Sequence, residues 1–122
     1  MTLQELYTTI GGNYDQATKV LRREQLIDRY IRKFSTSQVG SALAAAGESM
    51  DASALFESAH AMKGVCANLG LDALAQGASE LAEEFRPGSP RQFTDEEVRE
   101  KIAAVTELYR RTLAGIEQYE KG

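Results

Sequence analysis

Apolar side chains recur along this chain at three- and four-residue spacing, and no segment shows the sustained alternation of a half-buried strand. From about Arg23, the positions Leu26, Ile27, Tyr30, Ile31 and Phe34 form one amphipathic stripe. The pattern weakens near "STSQ" and resumes over 39–46 before a turn at "GESMD", which leaves one bent helix and two separate helices both open. Asp51 then reads as the N-cap of a long helix that runs to Leu69 and is closed by Gly70. A further helix follows over 72–85, with Leu74, Ala78, Leu81, Ala82 and Phe85 on one stripe. Both prolines fall in "RPGSPRQF", the strongest break in the chain. Beyond it, Thr94 and Glu97 form a capping box that opens a final long helix striped by Val98, Ile102, Val105, Tyr109, Leu113 and Ile116. At the other end, Thr2 and Glu5 form a second capping box for a short helix over 3–10. Gly11 and Gly12 stop it, and a turn or helix begins at Asn13.

There is no internal repeat, low-complexity tract or linker. Four substantial helices with short connections predict an all-α, up-down four-helix bundle, with an additional short N-terminal helix covering one end. With 122 residues, the chain 1–122 is expected to be a single domain.

Composition narrows the function classes. At 43% hydrophobic and 26% charged, the chain has the makeup of a globular domain rather than a disordered one. The net charge of −4 argues against nucleic acid as a partner, because phosphate binding relies on a basic surface. The basic clusters "LRRE" and "RYIRK" are interleaved with acids and apolar residues and read as solvated helix faces. "ELAEEF" and "TDEEVRE" read as helix-dipole and solubility features. Cys66 is alone, which excludes an intrachain disulfide and fits a reducing cytoplasm. The N-terminus lacks a signal-peptide pattern, and the longest apolar run, "ALAAA", is too short to span a bilayer. A cytoplasmic protein with no membrane contact is the expectation.

The only histidine, His60, sits inside the 51–69 helix. On a helical wheel with His60 at zero, Leu55, Ala59, Met62, Val65, Cys66 and Leu69 gather roughly 140–260° away and form the core stripe. His60 therefore points away from the core, among Ser53, Phe56, Glu57, Lys63, Gly64 and Ala67. Two features of that face are unusual. Several of its positions are small, and a helix-interior glycine costs about 0.8–1 kcal/mol relative to alanine. Phe56 adds a large apolar group, which either anchors a contact with a partner or tucks sideways under the N-terminal helix.

An unperturbed imidazole has a pKa of about 6.5, so near neutral pH it is mostly the free base and a nucleophile. Lys63, one turn on, adds an ammonium able to pair with an incoming phosphoryl group. There is no carboxylate orienter, metal-ligand cluster or second histidine to equip the site for hydrolysis, and no metal site is expected.

"AHAMKGVCANLG" resembles the signature of histidine-containing phosphotransfer (HPt) domains: His, two residues, Lys-Gly, then a small-residue stretch ending in Leu-Gly. Here those positions are His60, Lys63, Gly64, Leu69 and Gly70. The helix order agrees with that family over most of the chain. The resemblance implies a phosphoryl carrier of a multistep His–Asp relay in two-component signalling, rather than a turnover enzyme. His60 would accept phosphate from a receiver-domain aspartate and pass it to another receiver. Lys63 would be the charge partner and Gly64 the clearance. Phe56, Glu57 and Ala67 would face the docked partner. On the adjacent helix Gln76, Glu83 and Arg86 are the polar candidates near the phosphate, with Arg86 preferred as the only cation. The implied partners are response-regulator receiver domains and a hybrid or sensor histidine kinase, with magnesium on the receiver and a monomeric carrier. Met62 departs from the leucine common before the lysine, and Val65-Cys66 from the frequent small or hydroxyl pair; both read as packing changes. A helical module that docks on receivers or a kinase without accepting phosphate is the rival reading. A phosphatase-like use of His60 as a base is a third, with only Glu57 as an acidic neighbour.

Overall fold

The computed structural model describes all 122 residues and is entirely helical. Seven helices follow in order: α1 (Leu3–Ile10), α2 (Tyr14–Leu21), α3 (Glu24–Ser35), α4 (Val39–Ser49), α5 (Ala52–Asn68), α6 (Asp72–Glu84) and α7 (Asp95–Lys121). Both capping boxes form. The Thr2 and Thr94 hydroxyls accept the N–H of Glu5 and Glu97, while each glutamate side chain accepts the N–H of its cap. The turn at Asn13 is a full helix, because the Asn13 side chain caps it by accepting the N–H of Gln16. The break near Thr36 is complete, so α3 and α4 are separate helices. At the end of α5, Gly70 takes φ 70°, the left-handed conformation that turns the chain into α6. A β-carbon there would strike the Asn13 carbonyl, so the same turn is closed against the start of α2.

α5 packs between α4 and α6, α6 packs on α7, and α7 returns to α4, while α1 lies on α7 and α2 touches α3 and α5. Glycines let these helices approach. Gly40 of α4 lies under the Tyr109 ring, Gly77 of α6 under Val105, and Gly115 of α7 under Ile10. One buried cluster runs from Leu3 to Ile116 and draws on every helix. The Tyr7 hydroxyl donates to the Leu69 carbonyl at 2.6 Å, which fastens α1 over the α5–α6 turn.

Four sequence expectations need correction. Val65 and Tyr30, placed on apolar stripes, are 37% and 42% exposed, because each lies at the margin of its stripe where no helix covers it. On the same side of α5, Ser58 is buried instead, its hydroxyl satisfied by the Ala54 carbonyl at 2.7 Å. Leu113 is only half-buried, since α1 lies over Thr112 and Gly115 and shifts the buried stripe of α7. Glu84, read within a solvated acidic cluster, has no exposed side-chain surface. Its carboxylate accepts from Arg91 Nε at 2.6 Å and from the N–H groups of Gln92 and Phe93 at 2.9 and 3.0 Å.

Candidate functional site

The seventeen residues of α5 display their outer face because only one side of the helix is needed for packing. Asp51 caps its start by accepting the Ser53 N–H at 3.1 Å. Leu55, Ser58, Ala59, Met62 and Cys66 are buried. Burial pushes the Cys66 thiol up to about 12, which keeps it protonated and unreactive. His60 falls on the opposite side and is exposed, with Glu57, Gly64 and Ala67 exposed around it.

The imidazole is held by stacking. Phe56, one turn earlier, is half-buried against the core and lies under the ring, with centroids 5.6 Å apart and planes at 20°. Phe56 therefore orients His60 as well as bordering the surface, and the i, i+4 spacing in the sequence is the signal that carries this contact. No carboxylate stands within 4.0 Å of the imidazole. Lys63 is half-buried and has no acidic partner, so its ammonium is uncommitted.

Gly64 is the informative position. A β-carbon built there meets nothing within 4 Å, whereas at Gly40, Gly70, Gly77 and Gly115 it would collide with the protein's own atoms. Those glycines serve the fold. Gly64 leaves open space one turn from the histidine and serves no internal contact.

The polar residues of α6 gather elsewhere. Gln76 and Glu83 line a groove of about 450 Å³ with Ser89, Pro90 and Phe93 of the following loop, to which α5 contributes no residue. Arg86 lies just past α6, exposed, and pairs with Glu83. With Gly70 as the pivot of the α5–α6 hairpin, the level of His60 on α6 falls near Glu80 to Ala82, and Arg86 is roughly one turn beyond. Glu80 itself is drawn to α7 by Lys101 at 3.0 Å, which holds its carboxyl below the usual range. The structure thus brings together Phe56, His60, Lys63 and Gly64, with Glu57 and Ala67 on the same helix face. Gln76, Glu83 and Arg86 make no hydrogen bond or ion pair with the imidazole; Gln76 bonds to Glu80, and Arg86 to Glu83. No group of His, Cys, Asp and Glu side chains has the arrangement of a metal site.

No helix is long and apolar enough to cross a membrane. No curated protein and no solved structure gives a significant match to the chain. The family model described as the Hpt domain matches residues 25–114, from the first turn of α3 to the last third of α7, with the His60 face of α5 inside that span. The chain belongs to the Hpt domain family, whose members take part in phosphotransfer within His–Asp phosphorelays.

Proposed function

We propose that this protein is a histidine phosphotransfer carrier: His60 accepts a phosphoryl group from the aspartyl phosphate of one receiver domain and delivers it to the aspartate of another. The observation that carries the reading is the exposed imidazole stacked on Phe56 beside an empty position at Gly64, in a chain of the Hpt family. The whole chain, 1–122, acts as one unit, and α4 to α7 supply an up-down bundle that holds α5 with its histidine outward.

The unprotonated nitrogen of the neutral ring attacks phosphorus. A P–N bond forms as the bond from phosphorus to the aspartyl oxygen breaks, and that oxygen leaves as carboxylate. The other ring nitrogen keeps its proton, so the phosphorylated ring is cationic and remains a competent donor for the next transfer. Phe56 fixes the ring plane, which limits the orientations lost on docking. The Lys63 ammonium offsets phosphoryl charge as a compact cation. Gly64 lets the partner's surface approach the ring, and Glu57 and Ala67 border the contact. Magnesium is expected on the receiver, where the donor carboxylates lie. The carrier's own chain supplies a nucleophile and a shape, and no turnover chemistry is assigned to it.

Mixing the protein with phosphorylated receivers and magnesium should place one acid-labile phosphate on it, and His60→Gln should take none. If the wild-type chain stays unmodified with every receiver of its host, the carrier reading fails. Binding that survives His60→Ala, with no phosphohistidine on the wild type, would assign the face to docking alone.

A further inference from the structure

The two side chains that escaped their stripes meet. Tyr30 and Val65 line a groove of about 370 Å³ together with Leu21, Phe34 and Lys33, between α3 and the C-terminal half of α5. They are two of the four large apolar side chains left exposed on the molecule. Val65 directly follows Gly64, and Asn68, at the far end of the groove, is about 12 Å along the helix from His60. A partner covering a typical 800 Å² or so around His60 would reach it.

The α2–α3 segment that supplies one wall of this groove is rich in uncommitted cations. Lys19, Arg22, Arg23, Arg29 and Lys33 have no carboxylate within 4.0 Å, while elsewhere in the chain only Lys63 and Arg99 lack one. Five of the seven uncommitted cations thus belong to α2, α3 and the link between them, where they outnumber the acids Asp15, Glu24 and Asp28; Lys33 lines the groove and Arg22 follows Leu21 of its wall. Arg22 is moreover held at φ 67°, a left-handed conformation that ordinary side chains adopt at a cost. Residues 14–24, the α2 side of this corner, lie outside the span matched to the family.

We propose that the α2–α3 corner is a second anchor for the phosphoryl partner, taking an apolar side chain between Tyr30 and Val65 and the partner's carboxylates on the surrounding cations. The inference rests on the carrier reading of His60. An aspartyl phosphate site that binds magnesium is built from carboxylates, so the face that approaches His60 is acidic. The corner attracts that face before contact, and the groove fixes its orientation once docked.

The test uses the full chain, titrated with each receiver domain of its host in the presence of magnesium and beryllium fluoride. Transfer from the same receivers in phosphorylated form is measured in parallel. Tyr30→Ser and Lys33→Glu should each raise the dissociation constant about tenfold, and the transfer rate at saturating receiver should stay unchanged. Binding of the wild type should weaken with added salt, Lys33→Glu should flatten that dependence, and Lys33→Arg should restore it. Unchanged affinity and salt dependence in the variants, with His60 still phosphorylated, would overturn the corner and leave the carrier reading standing. Absence of both binding and phosphorylation of the wild type would overturn both. Loss of self-association in the variants, with receiver affinity intact, would assign the corner to a second copy of the chain and overturn the proposal.

Discussion

Gly64 and Gly40 respond in opposite ways to the same substitution, although each lies within a helix. At Gly64 a methyl group enters open space, so Gly64→Ala should stabilise the protein by about 0.8–1 kcal/mol through helix propensity alone. At Gly40 the methyl group meets the Tyr109 ring, so Gly40→Ala should destabilise by about 1–3 kcal/mol, the range for overpacking a core. Urea midpoints of the two variants check both signs. Function should order them in reverse. Larger side chains at position 64, such as Gly64→Gln, should fold as well as wild type and yet accept phosphate at least about tenfold more slowly, because they fill the open space one turn from the imidazole. Rapid transfer to Gly64→Gln would remove the steric role. A glycine in a helix of the sequence points to one of these two uses, and the wheel separates them only when the packing face is known.

Among the elements, the α6–α7 connection shows how a charged group read as solvated can hold the fold. Arg91 and the N–H groups of Gln92 and Phe93 converge on Glu84 and close the proline-bearing loop onto α6. Burial pushes the Glu84 carboxyl up, but the hydrogen bonds from Arg91 and the two N–H groups outweigh it and hold the carboxyl below its ordinary value of 4.5. With the folded-state value depressed, the contribution to stability is complete above pH 4.5 and is lost as pH falls through the depressed value. Glu84→Gln should therefore cost about 2 kcal/mol at neutral pH, and its stability should change less than that of wild type between about pH 5 and 3. Denaturant unfolding across that range measures both effects. Equal pH slopes in the two proteins would show that another carboxylate carries the dependence. Glu84 was illegible in the sequence because its partners come seven to nine residues later, across two prolines, where no helical spacing links them. The capping boxes at Thr2 and Thr94 were legible because both partners lie within one turn. The histidine face was legible for the same local reason, since Phe56, Lys63 and Gly64 are its i±3 and i±4 neighbours. The α6 polar residues could not be placed, because their facing depends on how two helices rotate against each other.

At the scale of the whole molecule, the family match covers residues 25–114, whereas the core begins at Leu3. Leu3, Leu6, Tyr7 and Ala17 are all buried, and Tyr7 also holds the Leu69 carbonyl at the α5–α6 turn. Burying an aliphatic or aromatic side chain of this size contributes about 1.5–3 kcal/mol, so α1 and α2 together supply several kcal/mol. Domains are stable by about 5–15 kcal/mol, so that share is a large fraction of the total. A chain lacking residues 1–22 keeps every residue matched to the family and the whole His60 face, but it uncovers Leu69, Leu71 and the turn that orients α5 against α6. It should unfold at a markedly lower urea concentration than the full chain, and its surviving helices should lose cooperativity. Circular dichroism during urea titration reads the midpoint and the slope together. A midpoint equal to that of the full chain would mean that α1 and α2 add surface to a bundle already complete without them. The predicted drop instead makes the two N-terminal helices part of the device that keeps the imidazole facing outward.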